Sequence, residues 1–496
     1  MKKYVFFRIL RSLFSIFLVT TLTYLVIFTL VPRDAIFKDD PSYNKLRSNP
    51  EELTEYKNTA FHRMGYIDYI SPRELIHQVS EKHPDFKGGQ EGNDKAEAEE
   101  WAKENGYKLD ALPESGNLYA TKDIAILTRV FNFYKNMIQI DHPGAVKDPN
   151  NPDLERGYSF ENDPYAGWAL VGSGTKYKYQ IYFNSHFPFI HQNMIKLNLG
   201  ISYPTFAGRP VTQVLFGGQG QPMTREVTLP DGSTRRTSLD VYTRQYKPSD
   251  KISSQEKAMF SDNYAGAENV YKDPSMAGIS FRMGIVAVFI AYAIAIPAAA
   301  AMALYKGGWV DRFGTFIVTI LISVPSVAFV FFFRFLGNKF FNLPDLFPTH
   351  GAGDIRSYIS PTIILGLLSV SGLIIWMRRY MIDQQNSDYV KFARAKGLSE
   401  GEIQVHHILR NAIIPLVNGI PGSIIFTIAG ATITETIFAA PGMGKMLPDA
   451  ILAHNNPIVT GLVLIFTILA VLALLLGDIA MTLVDPRITL NVRGDE

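Results

Sequence analysis

The chain opens with an apolar run, passes through a long mixed polar stretch, and then returns to apolar runs separated by short charged segments. Residues 12–31, between Arg11 and Arg33, carry no charge. At 1.5 Å per residue such a run crosses a hydrocarbon core of about 30 Å, so it predicts a transmembrane helix. Lys2, Lys3, Arg8 and Arg11 ahead of it also suit a secretory signal peptide. A signal's apolar core is about 7–15 residues and ends in a small-x-small cleavage site. Here Val31-Pro32-Arg33-Asp34 follows instead, which favours an uncleaved anchor. Five more apolar runs lie at 279–304, 313–336, 358–377, 413–433 and 458–484. The pattern therefore predicts six spans.

The basic residues set an orientation. With the N-terminus inside, the cytoplasmic segments hold Lys2, Lys3, Arg8 and Arg11; Lys306 and Arg312; Arg378, Arg379, Lys391, Arg394, Lys396 and Arg410; and Arg487 and Arg493. The short outer loops hold Lys339, Arg356 and Lys445. The positive-inside rule then places both termini in the cytoplasm of a plasma-membrane protein. Pro297, Pro325, Gly366, Gly372, Gly419, Pro421, Gly422 and Gly430 within the later runs favour close approach and kinking of helices.

Charge divides the 496 residues unevenly. Residues 32–275 hold 29 Lys/Arg and 33 Asp/Glu, which is 62 of the 94 charged side chains. The near-neutral net charge of +2 thus averages a polar domain with a membrane domain. The expected organisation is an N-terminal helix (1–31), an extracellular domain (32–275) and a five-helix core (276–496) with a cytoplasmic loop at 378–411. Zero cysteines exclude disulfides, thiol nucleophiles and thiolate metal sites. No sustained basic patch with interleaved aromatics supports nucleic-acid binding.

The polar domain reads as α+β. Ser71-Pro72-Arg73-Glu74 is a capping box, and residues 93–106 form a charged helix with an Asn cap and a Gly stop. Residues 127–140 show helical apolar spacing. Residues 176–184 alternate, with Tyr177, Tyr179, Ile181 and Phe183 expected on one strand face, and Pro230-Asp231-Gly232 predicts a hairpin. His142, His186 and His191 show no spacing of a hydrolytic or metal site, and Gly172-Ser173-Gly174-Thr175-Lys176 reads as a turn rather than a phosphate loop. Residues 135–141 and 192–198 echo each other, but seven residues do not establish a repeat.

The loop after the fourth span is the most informative segment. Ser387 or Asp388 is expected to cap a helix through Lys396 that Gly397 stops, and Ser399-Glu400-Gly401-Glu402 opens another toward Arg410. Ala393, Ala395 and Gly397 keep this elbow small, as close approach of a partner requires.

This run, Ala393-Arg394-Ala395-Lys396-Gly397-Leu398-Ser399 with His407, Leu409-Arg410-Asn411-Ala412 and Pro415, resembles the coupling loop of peptide-importer ABC permeases. Further matches are Gly200-Ile201-Ser202-Tyr203 with Arg209-Pro210-Val211, Ile296-Pro297 with Asp311-Arg312, Glu435-Thr436-Ile437-Phe438 with Pro441-Gly442-Met443-Gly444, and the ending Asp485-Pro486-Arg487-Ile488. The chain resembles the B-type permease subunit of an oligopeptide importer, an α-helical membrane protein of type I ABC importer permease fold. Here a large α+β extracellular domain stands between helices 1 and 2. The resemblance implies ATPase coupling through Asp388, Ala393, Arg394, Ala395, Gly397, Leu398, Ser399, Glu402, His407 and Arg410. It also implies an extracellular gate at Glu435, Phe438, Pro441, Gly442 and Gly444. The implied partners are a second homologous permease, two cytosolic ATPases that use the ATP, an extracellular peptide-binding lipoprotein and the oligopeptide itself, with no cofactor and no catalysis in this chain. The sequence departs from the family at Lys391-Phe392-Ala393, where the general motif begins Glu-Ala-Ala, and at His454-Asn455-Asn456-Pro457, where Arg-Asp-Tyr-Pro is common.

Charges at membrane depth cost about 2.5–3.5 kcal/mol each on insertion scales, so each needs a partner or a route to water. Arg334 is expected to snorkel outward, and Asp478 to pair with a cation of a neighbouring helix rather than line a wet cavity. Three rivals remain: a membrane-anchored sensor, although only about a dozen residues follow Val484; a stand-alone secondary transporter, which would show two inverted halves and buried ionisable relays; and a permease for dipeptides or nickel.

Overall fold

The computed structural model describes residues 2–90, 93–185, 189–229 and 231–484, with side chains from Phe6 onward. The side chains of Lys2 and Lys3, and His186, Pro230, Arg487, Arg493 and the Asp485-Pro486-Arg487-Ile488 ending, lie outside the described residues. The chain folds as two compact units, Met1–Ile36 with Ser275–Glu496, and Phe37–Pro274.

The first helix, α1 (Lys2–Leu30), belongs to the helical unit. In the polar unit, α2 (Pro41–Leu46) and α3 (Pro50–Arg63) are capped by the Asp40 and Asn49 carboxylate and amide oxygens, each with Pro at the first helical position. Helix α4 (Pro72–Ser80) carries the complete Ser71/Glu74 capping box, and α5 (Asn93–Asn105) ends at Gly106 with φ +71°. Both helices pack on a three-stranded sheet, β1 (Ile67–Ile70), β2 (Lys108–Ala111) and β3 (Leu118–Asp123), around Leu75, Val79, Ala98 and Ala120.

Helix α6 (Ile126–Met137) stops short of the sequence expectation, because 138–140 leave it as strand β4 (Ile138–Ile140). A four-stranded sheet follows, β5 (Gly157–Asp163), β6 (Gly167–Ser173), β7 (Tyr179–Phe183) and β8 (Ile190–Gln192), in that spatial order. Then β9 (Ile195–Leu197) pairs antiparallel with β4, Ile138 opposite Leu197 and Ile140 opposite Ile195. The two echoing segments are thus the two sides of one ribbon. The expected shared face of Tyr177, Tyr179, Ile181 and Phe183 does not form: a register shift between Leu170 and Val171 leaves Tyr179 and Tyr182 buried while Phe183 is exposed. Asp141 anchors this region by accepting the Lys176 and Tyr177 N–H groups and the Gln180 amide at 2.7–2.8 Å. Helix α7 (Val211–Phe216) leads to β10 (Gln219–Pro222). The expected hairpin is β11 (Arg225–Thr228) with β12 (Thr234–Thr237), turning through Gly232 at φ +78°. Helix α8 (Ser254–Met259) and β13 (Tyr271–Asp273), paired with β10, complete the unit.

The helical unit continues with α9 (Met276–Leu304), α10 (Trp309–Ser323), α11 (Ser326–Phe341) and α12 (Arg356–Gln385). Then come the elbow helices α13 (Asp388–Ala395) and α14 (Glu400–Glu402), a π-helix Ile403–Leu409 and the short α15 (Arg410–Ala412). Helices α16 (Ile414–Gly430), α17 (Thr432–Phe438), α18 (Met443–Leu452) and α19 (Asn456–Val484) end the described chain. Among the described residues, four helices, α1, α9, α12 and α19, are long and apolar enough to cross a membrane. The run expected as one straight span at 313–336 is broken: α10 and α11 meet at 109°. Pro325 has no N–H to continue the ladder of α10, so the chain turns there. A second bent pair, 51° apart, joins the elbow to α16.

Arg8 of α1 forms an ion pair with Asp478 of α19, which answers the expectation of a cationic partner. Arg334 does not simply snorkel; its Nη1 donates to the Ile437 carbonyl at 2.8 Å, and its Nε lies 3.8 Å from Asp345. Breaking a fully buried pair costs about 3–5 kcal/mol, and the partial exposure of this one lowers that toward about 2 kcal/mol. Asp478→Asn and Arg8→Ala are each expected to lower the thermal midpoint in detergent, and the exchanged pair, Arg8→Asp with Asp478→Arg, to restore most of it. A thermal shift series on the four proteins checks this.

Candidate functional site

The elbow is built by local chemistry. Helix α13 ends in a Schellman motif: the Gly397 N–H donates to the Arg394 carbonyl at 2.9 Å and the Leu398 N–H to the Ala393 carbonyl at 3.3 Å. That ending needs Gly397 at φ +80°, and nothing lies within 4 Å of where its Cβ would stand. Within this chain the glycine serves backbone conformation, and the space around it is open. Ser399 and Glu402 form the expected capping box. The N-terminal expectation differs, because the Ser387 hydroxyl donates back to the Gln384 carbonyl at 2.6 Å instead of capping α13. Asp388 receives the Lys391 ammonium at 2.9 Å, which holds its carboxyl below the ordinary range. Arg394 grips Glu400 with two hydrogen bonds of 2.7 and 3.2 Å and locks the two arms at a fixed angle.

Ala393 turns inward. With Val390, Ile403, Ile408 and Ala412 it joins the core made by α9 and α12, including Ala295, Ala299, Met377 and Met381. Its small size fits this chain's own packing. The outward side carries Ala395, Lys396 and three apolar side chains: Phe392, 62% exposed; Val405, 54%; and Leu398, 38%. Lys396 lies over the Phe392 ring at 4.6 Å. His407 and Arg410 follow in and just after the π-helix, His407 half-buried and Arg410 exposed.

At the foot of the elbow, Asp311 at the start of α10 accepts two hydrogen bonds from Arg378 of α12, at 2.6 and 2.7 Å, and one from the Gly307 N–H at 2.9 Å. The Gln385 amide donates to the Ala303 carbonyl of α9 at 2.9 Å. Three helices are thereby tied to the elbow's root.

Of the residues implied as a gate, Gly442 and Gly444 lie against one buried carboxylate, that of Glu435. Glu435 on α17 is fully buried; its Oε1 accepts the Ser280 hydroxyl of α9 at 2.6 Å and its Oε2 the Lys445 N–H at 2.7 Å. Ser280 in turn accepts the Met443 N–H at 2.7 Å. Glu435 and Ser280 thus satisfy the first turn of α18. A Cβ on Gly442 would stand 2.1 Å from the Glu435 carboxylate, and one on Gly444 3.1 Å from it. Pro441 lies in the turn between α17 and α18, half-buried. Phe438 is buried with Phe329, Val330 and Ile364 beneath Arg334. All five residues lie within this chain's own packing.

Sequence reasoning missed a third feature, a half-open groove of about 730 Å³ between α9, α12 and α16. Tyr292, Ser369, Trp376, Ser423, Phe426 and Thr427 line it, and the Tyr292 and Ser423 hydroxyls lie 3.2 Å apart. The available signal was the set of glycines on its walls, Gly372 and Gly430, beside hydroxyl and aromatic residues on otherwise aliphatic runs.

The family described as binding-protein-dependent transport system inner membrane component matches residues 295–490. The chain is 51% identical over 498 residues, covering 100% of both chains, to the oligopeptide transport system permease protein AmiC of Streptococcus pneumoniae. It is 33% identical over 213 residues to the dipeptide transport system permease protein DppB of Lactococcus lactis, covering 43% of this chain and 69% of that one. It is 32% identical over 204 residues to the glutathione transport system permease protein GsiC of Salmonella typhimurium, covering 41% and 64%. Among solved structures, the inward-facing MetNI methionine ABC transporter matches with a TM-score of 0.36 and 15% identity, covering 42% of this chain and 93% of that one.

Two glycines give contrasting expectations. Gly442→Ala drives a methyl into a buried carboxylate and is expected to cost about 1–3 kcal/mol through overpacking. Gly397→Ala meets no atom and is expected to cost about 1–2 kcal/mol through its left-handed backbone alone. Adding Glu435→Gln and Ser280→Ala to each separates them: these changes couple to Gly442→Ala and add independently to Gly397→Ala in thermal unfolding.

Proposed function

The chain belongs to the family of binding-protein-dependent transport system inner membrane components, and from that premise we propose that it is one permease subunit of an ATP-driven oligopeptide importer. The observation that carries this reading is the 51% identity to an oligopeptide permease along the whole chain, polar unit included. The chain does no covalent chemistry in this reading.

Six spans follow if each bent pair crosses once: α1, α9, α10 with α11, α12, α16 with the elbow's second arm leading into it from the cytoplasmic side, and α19. The distribution of Lys and Arg places both termini and the elbow in the cytoplasm and the polar unit outside. A second, homologous permease completes the pathway, and the groove at Tyr292, Trp376 and Phe426 is this chain's share of it. Of the two cytosolic ATPases, one binds this chain's elbow through Phe392, Leu398 and Val405. An extracellular peptide-binding lipoprotein delivers substrate to the polar unit, with 217–273 as its docking platform.

Coupling is then a difference in how well the ATPases hold two states of the permease. ATP-driven closure displaces the outward face of the elbow. Arg394–Glu400 keeps its two arms together, and Ala393, Ile403 and Ile408 pass the movement into α9 and α12. The buried Glu435–Ser280 contact carries it on to α17 and α18.

Phe392→Glu with Leu398→Glu is expected to abolish peptide uptake and ATPase co-purification while changing stability, read by thermal unfolding, by no more than about 1 kcal/mol, because both side chains are exposed. Retained uptake with these ATPases bound refutes the assignment of the elbow. A cysteine replacing Asp231 is expected to react with an impermeant maleimide on intact cells, and one replacing Glu400 to stay unlabelled. The reverse pattern overturns the orientation.

A further inference from the structure

We propose that the free edge of the four-stranded sheet in the polar unit, strand β5 with the ring pair Phe160 and Trp168, binds an oligopeptide in extended conformation as an added strand. This inference rests on the oligopeptide-import reading and gives the substrate a place on this chain before it reaches the membrane.

Strand β5 is an outermost strand of its sheet and pairs with β6 over seven residues, Gly157 opposite Ser173 to Asp163 opposite Gly167, without a break in register. The opposite edge, β8, has three residues. Among the described residues, no backbone hydrogen bond outside the β5–β6 ladder uses Ser159, Phe160, Glu161 or Asn162. At about 3.3 Å per residue this edge offers roughly 23 Å of unpaired donors and acceptors.

Long edges invite pairing, and soluble proteins blunt them with Lys, Pro, bulges or short length. The sequence Gly157-Tyr158-Ser159-Phe160-Glu161-Asn162-Asp163 contains neither Lys nor Pro. The sheet's register shift sits on the far side of β6, against β7. The edge is therefore straight and open.

The sheet's two faces differ. Ala169, Val171, Tyr179 and Tyr182 bury one face with Tyr242. On the other, Phe160 is 62% and Trp168 56% exposed, their rings stacked at 5.4 Å, with Phe183 and Ile190 also exposed behind them. A strand laid along β5 places alternate side chains beside this apolar face and the others in solvent. Backbone hydrogen bonds read no side chain, so the site tolerates many sequences, as a general peptide importer requires.

Charge favours a peptide with a free amino end. Glu155 and Glu161 are exposed at this edge. The neighbouring cation, Arg156, is spent on the Pro143 and Val146 carbonyls at 2.7 and 3.0 Å. An α-ammonium group therefore meets carboxylates along the strand.

The test uses the full chain in lipid nanodiscs and three hexapeptides of unrelated sequence, labelled at the C-terminus and followed by fluorescence anisotropy. Each peptide is also made with backbone N-methyl groups at two consecutive central residues, which blocks pairing in either register. The expected result is affinity within about fivefold across the three sequences, at least tenfold weaker binding after N-methylation, and at least tenfold weaker binding to the Phe160→Ser/Trp168→Ser variant. Equal binding of methylated and unmethylated peptides overturns the proposal, as does undiminished binding to that variant. The N-methyl comparison uses the unaltered protein and so does not depend on how the variant folds. Capture of the lipoprotein by this edge without any peptide binding also overturns it, in favour of a protein-docking role. Peptide uptake by cells lacking the chain separates the two levels: uptake lost in those cells with no binding at β5 refutes this site alone, whereas unchanged uptake refutes the import reading beneath it.

Discussion

Helices in lipid gain little by burying leucine against leucine, because the lipid tails are as apolar as the side chains; they hold together where their backbones come close enough for packing and polar contact. The helical unit depends on that constraint. A Cβ at Gly284 of α9 would stand 2.8 Å from Ile428 of α16, and one at Gly366 of α12 would stand 2.8 Å from the Ala287 carbonyl of α9. A Cβ at Gly477 of α19 would stand 2.5 Å from the Asn418 carbonyl of α16. Three glycines thus draw α9, α12, α16 and α19 into one bundle, and the alanine-rich stripe of α9, from Ala287 to Ala303, continues the same close approach.

Polar groups inside such a bundle strengthen it only when each is satisfied. Asp311 takes Arg378 and a backbone N–H, so one carboxylate ties α10 to α12. Glu435 takes Ser280 and Lys445 N–H, so another joins α9, α17 and α18. Arg8 and Asp478 fasten the first helix to the last. Each cross-link joins elements far apart in sequence, and each sits where glycine or a helix end leaves room.

The parts of this architecture that were legible in the sequence are those governed by local rules. Uncharged runs placed the long helices, and the Ser71/Glu74 and Ser399/Glu402 boxes and the stops at Gly106 and Gly397 gave helix ends within a residue. The failures share one cause, which is tertiary contact. Residues 138–140 carry helical spacing and still become a strand, because 195–197 lie opposite to pair with them. Tyr182 is buried in place of Phe183 because a register shift across β6 rotates the face of β7. Ala393 looked like a place kept small for a partner, yet the side chains that fill the space above it come from α9 and α12 of the same chain. The groove at Tyr292 and Phe426 was invisible for the same reason, since its walls belong to three runs with no pattern in common.

These two kinds of determinant divide the elbow between them, and the division bears on how it transmits force. Its outline is drawn by local signals: a Schellman ending, a capping box and one exposed Arg–Glu pair join its two arms. Its attachment is tertiary: Val390, Ala393, Ile403 and Ile408 pack in one core with α9 and α12. A piece whose shape is set internally and whose seat is set by apolar contact moves as a body, because packed side chains resist compression far more than an exposed loop would. The π-helix at Ile403–Leu409 lies where that body meets α16, and its wider turn leaves the helical ladder less well formed at that junction than on either side. In the proposed coupling, displacement of the elbow is relieved by bending at Ile413, between the elbow's second arm and α16, where the two already diverge by 51°, while the inward face carries the displacement into α9 and α12.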